Sequence, residues 1–276
     1  MGSFVKDPKA IMRFNNRPKT FYDAEVLTVY WETRREIIER ILPAPLKAAS
    51  RPLVHAFVAH YPRTSFSLPY SEAALFVLAD YHGEVGTYCL SMPISDDVAM
   101  GLGREICGFP KKIADIEMKK DGNLVEGTVR RHGIDFFRVR AHLNGKMNAE
   151  DGQKVIDEYY GHDLAVFNIK YSQAIDGSGF DLKPTLVKQN TTMDVRVLRK
   201  GEVEISMQDS PHDPWAELEV VNLLGGVYTV SDTVLLKGTM LEQLKPDEFL
   251  PYSYLRWDWW EDTPAEGGDG RYGESV

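Results

Sequence analysis

The feature that most constrains this chain is a succession of short runs rich in β-branched and aromatic residues, separated by close turns, with few helical stretches between them. Such residues fit a pleated, half-buried surface. Residues 25–31, Leu53 to His60, Ala73 to Tyr81 and Val85 to Met92 read as strands, the last two joined at His82-Gly83-Glu84. Val125 to Val129 and Phe136 to Leu143 read as a hairpin turning at His132-Gly133. Leu164 to Tyr171, Leu186 to Leu198, Glu202 to Met207 and Leu224 to Lys237 continue the pattern. Helices are expected over 33–42, 95–107, 211–218 and part of 149–160. In the first, Thr33-x-x-Glu36 has the form of a capping box, and Pro43 and Pro45 stop the helix. Strands do not alternate with long helices, so the expected class is mainly β (α+β), an antiparallel barrel or sandwich with a few peripheral helices.

No internal repeat and no Gly/Ser linker divides the 276 residues, which predicts a single domain over 1–250. The tail, 251–276, opens with Trp257-Asp258-Trp259-Trp260 and ends in Gly-rich acidic residues. The tryptophans are expected to pack on their own domain, or else at a subunit interface, where Trp is enriched.

Several function classes are disfavoured. With 32 Lys and Arg against 41 Asp and Glu, the net charge of −9 argues against a nucleic-acid partner. No apolar run approaches ~18 residues, so no membrane span is expected. Met1 to Lys19 is too polar for a signal peptide, and Cys89 and Cys107 form no disulfide framework, so a cytoplasmic location is expected. The seven histidines never pair at i,i+4, and no P-loop, H-E-x-x-H or G-x-S-x-G occurs. No metal site is expected from this spacing.

The stretch that carries chemistry is Gly103-Arg-Glu-Ile-Cys-Gly-Phe-Pro-Lys-Lys112. Two adjacent lysines are ordinarily solvated. Here they follow an aromatic and a proline, with Ile106, Phe109 and Ile113 around them. Desolvation and a second cation both favour the neutral amine, and a neutral lysine condenses with a carbonyl to give an imine, an electron sink for a neighbouring C–C bond.

Gly103-Arg104-Glu105 followed by Phe109-Pro110-Lys111-Lys112 resembles the signature of the acetoacetate decarboxylase family. The resemblance covers about residues 25–244 and includes Leu42-Pro43-Ala44-Pro45-Leu46, Tyr70-Ser71-Glu72, Phe167-Asn168-Ile169-Lys170 with Asp176-Gly177, and Ser231-Asp232. It implies a closed, cone-shaped antiparallel β-barrel, no cofactor, and a homo-oligomer. It implies Lys111 as the imine-forming residue, Lys112 beside it lowering its pKa, and Glu72 in the same site as an acid–base or orienting group. Phe109 would border the lysine, and Arg104 would either brace the segment by pairing with Glu105 or meet a substrate carboxylate. Two positions depart from the family: Ala24 and Phe57 stand where the characterised decarboxylases carry an arginine and a glutamate. Phe57 would make the pocket more apolar, with His55, Ala59 and Tyr61 on its face of the strand.

The expected function is therefore a Schiff-base carbon–carbon lyase that decarboxylates a small β-keto acid. The first alternative keeps the imine for aldol addition and dehydration on pyruvate-like keto acids and aldehydes. The second is a non-catalytic barrel binding a small apolar ligand.

Overall fold

The computed structural model describes residues 3–159 and 164–260. The acidic end of the tail, 261–276, lies outside the described residues. Strands β1 (Lys19–Glu32), β2 (Lys47–Ala48), β3 (Leu53–Tyr61), β4 (Arg63–Thr64), β5 (Tyr70–Tyr81) and β6 (Glu84–Ile94) lead to β7 (Lys111–Ile113). Then come β8 (Asp115–Asp121), β9 (Leu124–Arg131), β10 (Ile134–His142), β11 (Ala165–Lys170), β12 (Thr185–Gln189), β13 (Thr191–Met207), β14 (Asn222–Leu235) and β15 (Thr239–Gln243). The helices are α1 (Pro8–Asn16), α2 (Arg35–Ile41), α3 (Asp97–Leu102), α4 (Gly152–Tyr159) and α5 (Pro246–Phe249).

All strands join one sheet in the order β15-β12-β11-β6-β5-β3-β1-β14-β13-β10-β9-β8, with β2, β4 and β7 paired to its side. Most pairs are antiparallel, but β11 and β7 both run parallel to β6, so the sheet is mixed. The mainly β class with few helices is as expected. The hydrogen-bonded path, however, has two ends, and among the described residues no pairing joins β15 to β8. The sheet instead curls until β8 packs across β3 and β5.

That curl gives β1, β3 and β5 two covered faces, which is why they read as nearly continuous apolar runs. Side chains alternate along a strand. Leu27, Val29 and Trp31 of β1, Val54, Ala56 and Val58 of β3, and Ala73, Leu75 and Val77 of β5 enter the main core with Val125, Val129 and Val139 of the facing layer. Each large apolar side chain so buried is worth about 1.5–3 kcal/mol. The indole of Trp31, fully buried, donates to the Leu218 carbonyl at 3.0 Å. The intervening residues, Val26, Thr28 and Tyr30 on β1, face a cavity.

Both expected hairpins turn where the sequence placed them. His82-Gly83 and His132-Gly133 hold positive φ at both residues (51° and 92°, 48° and 77°), the geometry that matches strand twist in a two-residue loop. Two local expectations fail. Thr33 caps no helix: it is buried, its amide donates to the Pro52 carbonyl at 3.1 Å as an extension of the β1–β3 ladder, and α2 starts after Arg34. Residues 186–198 and 202–207 are not two strands separated at Lys200-Gly201. The break falls at Asn190, and β13 runs unbroken through Gly201, where a β carbon would fall 2.1 Å from the His142 carbonyl oxygen. The glycine there admits a close strand rather than a turn. The sequence reading also missed α1, whose N-cap Asp7 accepts from the Ala10 amide at 2.9 Å and whose first residue is Pro8.

Candidate active site

The cavity has a volume of about 310 Å³ and opens beside the π-helical turn Gly103–Cys107 that continues α3. Its walls are the second faces of β1, β3 and β5, together with parts of β6, β13 and β14. Cross-strand register stacks the lining in rows. Tyr30, His55, Phe76 and Cys89 are successive partners across β1, β3, β5 and β6. Thr28, Phe57 and Ala74 form the next row, and Val26, Ala59, Glu72 and Ile94 the one after.

Lys111 enters this space from β7, beside Met92. It is buried, and its Nζ donates to Glu72 Oε2, a carboxylate equally buried. Phe109 lies under the amine, ring centroid 5.7 Å from Nζ. Gly103 makes room for the lysine stem, since a β carbon at that position would fall 2.2 Å from Lys111 Cε. Tyr61 and Tyr70 surround Glu72 on the far side. Burial first, then the neighbouring Glu72 charge, pushes both phenols up. Burial also pushes the Cys89 thiol up. His55 stacks on Phe76, centroids 4.7 Å apart and planes 13° apart, and burial lowers its imidazole to about 4. It is neutral at pH 7.

Lys111, Glu72, Phe57, His55 and Phe109 thus line one cavity. Ala24 and Phe57, the two positions the resemblance marks as departures, line it too. Two expected site residues do not reach it. Lys112 follows Lys111 on a strand and so points to the opposite face. There its Nζ pairs with Asp213 Oδ1 at 2.7 Å and Asp258 Oδ1 at 3.4 Å, and also donates to the His212 carbonyl. Arg131 joins both carboxylates, at 2.7 Å to Asp213 and 2.8 Å to Asp258, and His132 reaches Asp258 at 2.7 Å. Burial pushes the Asp258 carboxyl up, but Arg131, His132 and Lys112 outweigh it and the net shift is downward. Lys112 is therefore not the cation beside the Lys111 amine.

Arg104 is the second correction. The helical turn presents Gly103, Ile106 and Cys107 to the cavity at i, i+3 and i+4, which turns Arg104 outward. Its guanidinium donates to the Arg256 carbonyl at 2.5 Å and lies over the Trp257 ring at 5.1 Å. It does not line the cavity, and its contacts are with the tail rather than an ion pair with Glu105. The tryptophans beside it lie against this domain, Trp260 with its centroid 4.4 Å from that of His212, yet each of Trp257, Trp259 and Trp260 stays about half exposed. Sequence reasoning missed Asp213, Arg131 and Asp258, which lie far apart in the chain, and the steric role of Gly103. It also missed Tyr70 as a neighbour of Glu72, although it stands two residues before it.

The family described as Acetoacetate decarboxylase (ADC) matches residues 5–244, and the chain belongs to it. Acetoacetate decarboxylase 3 of Mesorhizobium japonicum is 33% identical over 232 residues, 83% of this chain and 87% of that one. A CLA biosynthesis isomerase of Lactiplantibacillus plantarum is 28% identical over 262 residues, 90% of each chain. The crystal structure of acetoacetate decarboxylase from Legionella pneumophila shares the fold, with a TM-score of 0.72 at 23% identity over 82% of this chain and 88% of that one. The fold is also that of the enduracididine biosynthesis enzyme MppR complexed with the condensation product of pyruvate and imidazole 4-carboxaldehyde, with a TM-score of 0.70 at 15% identity over 83% of this chain and 91% of that one.

Proposed function

We propose that this protein is an enzyme whose Lys111 forms an imine with the carbonyl of a keto acid, and that decarboxylation follows. The observation that carries this reading is the Lys111 amine, buried in an apolar cavity and bonded to a buried carboxylate that can take its proton. The free amine attacks the carbonyl carbon, and the carbinolamine loses water to give a protonated imine. In a β-keto acid the C–CO₂ bonding pair then flows into the imine, carbon dioxide leaves, and an enamine remains. Glu72 returns a proton to the enamine carbon, and water releases the ketone while freeing Lys111. Lys112 has a positioning role: its pairing with Asp213 and Asp258 fixes β7 so that Lys111 faces inward.

One observation favours a second reading. Ala24 and Phe57 leave the wall apolar where the characterised decarboxylases are polar, so the protonated imine could instead lose an α-proton to Glu72, and the enamine so formed add to an aldehyde or regain a proton elsewhere along a conjugated chain, with no loss of carbon dioxide. The names of two relatives, an isomerase and an enzyme bound to a condensation product, fit that reading.

A homo-oligomer in the cytoplasm is proposed as the working form. In support, Thr191 to Leu198 of β13 pair only with β14 among the described residues and expose Met193, Val195, Val197 and Leu198. We read 1–250 as one catalytic domain to which the following residues are anchored through Asp258.

Borohydride trapping with a panel of keto acids and aldehydes, followed by peptide mass mapping and carbon dioxide assay, tests the proposal. An adduct on Lys111 with release of carbon dioxide supports decarboxylation. An adduct without it selects the second reading, and no adduct with any carbonyl overturns both.

A further inference from the structure

The cavity is long, apolar and poor in spare positive charge. Along β1 its wall runs from Ala24 to Tyr30, about 20 Å at a rise of ~3.3 Å per residue. Lys111 and Glu72 sit part-way along it. Between them and the inner row of Tyr30, His55 and Phe76 lie Phe57 and Thr28, and Thr87, paired with Val166, lies beyond that row. Pockets that bind through such walls hold their ligands mainly by apolar burial, with a few polar groups fixing orientation.

Charge points the same way. The amine of Lys111 is matched by Glu72. His55 is uncharged at pH 7. No arginine lines the cavity among the described residues. The remaining cation, Lys19, lies at the outer end, where it donates to the Phe14 carbonyl at 2.8 Å and covers the Phe14 ring. A second negative charge on a short substrate would find no partner inside, and burying it unpaired is costly. A short keto acid would also leave the segment from Phe57 to Tyr30 unfilled.

We propose that the substrate is a carbonyl compound carrying an extended apolar chain, its carbonyl at Lys111 and its chain running inward past Phe57 to His55 and Tyr30. This deepens the imine reading and rests on it for the placement of the carbonyl.

The test uses the full chain and a homologous series of straight-chain methyl ketones from acetone upward, with borohydride trapping read as the adduct on Lys111. The half-trapping concentration is expected to fall about fourfold per added methylene, the equivalent of ~0.8 kcal/mol, until the chain fills the cavity. Thr87→Phe, which shortens the inner end, is expected to stop that fall several methylenes earlier. A half-trapping concentration that is flat or rises with length, while acetone still labels Lys111, overturns the chain proposal and leaves the imine reading standing. If no ketone labels Lys111, the imine reading falls. The chain proposal is then decided by thermal shift with straight-chain alcohols: a melting temperature that rises with chain length, and rises less in Thr87→Phe, keeps an apolar-chain ligand in this cavity, and a length-independent response overturns it.

Discussion

Lys111 and Lys112 are consecutive residues of the same type, equally buried, and the fold gives them opposite surroundings. Lys111 meets one carboxylate, a phenylalanine ring, a methionine and the bare backbone of Gly103. Lys112 meets two carboxylates, a backbone carbonyl and, through the shared acids, an arginine. The period-two alternation of a strand suffices to separate them. Burial of a cation therefore says nothing by itself about reactivity: one side of β7 supplies an open space that a carbonyl can enter, and the other supplies a filled ion cluster that holds the strand in place.

The largest effect that would break or uphold this comparison is on turnover. Lys111→Ala is expected to cost at least about 10³-fold in kcat and to abolish the borohydride adduct. Lys112→Ala is expected to keep the adduct on Lys111 and the acidic limb of the pH–rate profile unmoved. A limb displaced by Lys112→Ala would return that lysine to the role of electrostatic neighbour. Next is stability. Asp213→Ala leaves Lys112 and Arg131 buried with one acid between them, and denaturant unfolding should show a loss of about 3–5 kcal/mol. Gly103→Ala follows, because the added carbon displaces the lysine stem and a misplacement of about 1 Å costs roughly 10²-fold in rate. Wild-type melting temperature with slowed trapping is the expected pair of results.

The smaller effects are pH dependences with opposite partners. His55 sits below its ordinary value, so between about 6.5 and about 4 the unfolded chain binds the proton that the folded chain refuses. Stability should fall as pH drops through that window, and His55→Phe should flatten the slope. Asp258 is also lowered, but by pairing. Its contribution is present above the ordinary carboxylate range and is lost as pH falls through the depressed value. Asp258→Asn should remove that acid-side loss and lower stability at neutral pH.

Much of this was legible in the chain. The strand pattern and the two hairpin turns follow from short-range pattern, while the set of Lys111, Glu72, Phe57 and Phe109 comes from the resemblance to the family, with period two along β3 adding His55. Lys112 and Arg104 were misplaced because a motif gives adjacency along the chain, whereas facing depends on whether the backbone is extended or helical at that residue. Period-two logic, applied to β3, was not carried to Lys111-Lys112. The ion cluster was illegible for another reason: Arg131, Asp213 and Asp258 meet only when β9, the segment before β14 and the tail converge. Gly201 and Thr33 misled because a residue with a strong local preference was instead held by its tertiary neighbour.

The two covered faces of β1 have a consequence for how such a protein can change over generations. Odd-numbered positions from Leu27 to Trp31 enter the main core, and even-numbered ones from Ala24 to Tyr30 line the cavity. The strand is thus two interleaved texts, and mutation can rewrite the one that meets the substrate while the other goes on specifying the same architecture. Ala24 and Phe57 lie on the face that meets the cavity, so a change at either would alter its wall and leave the main-core face of the sheet as it is.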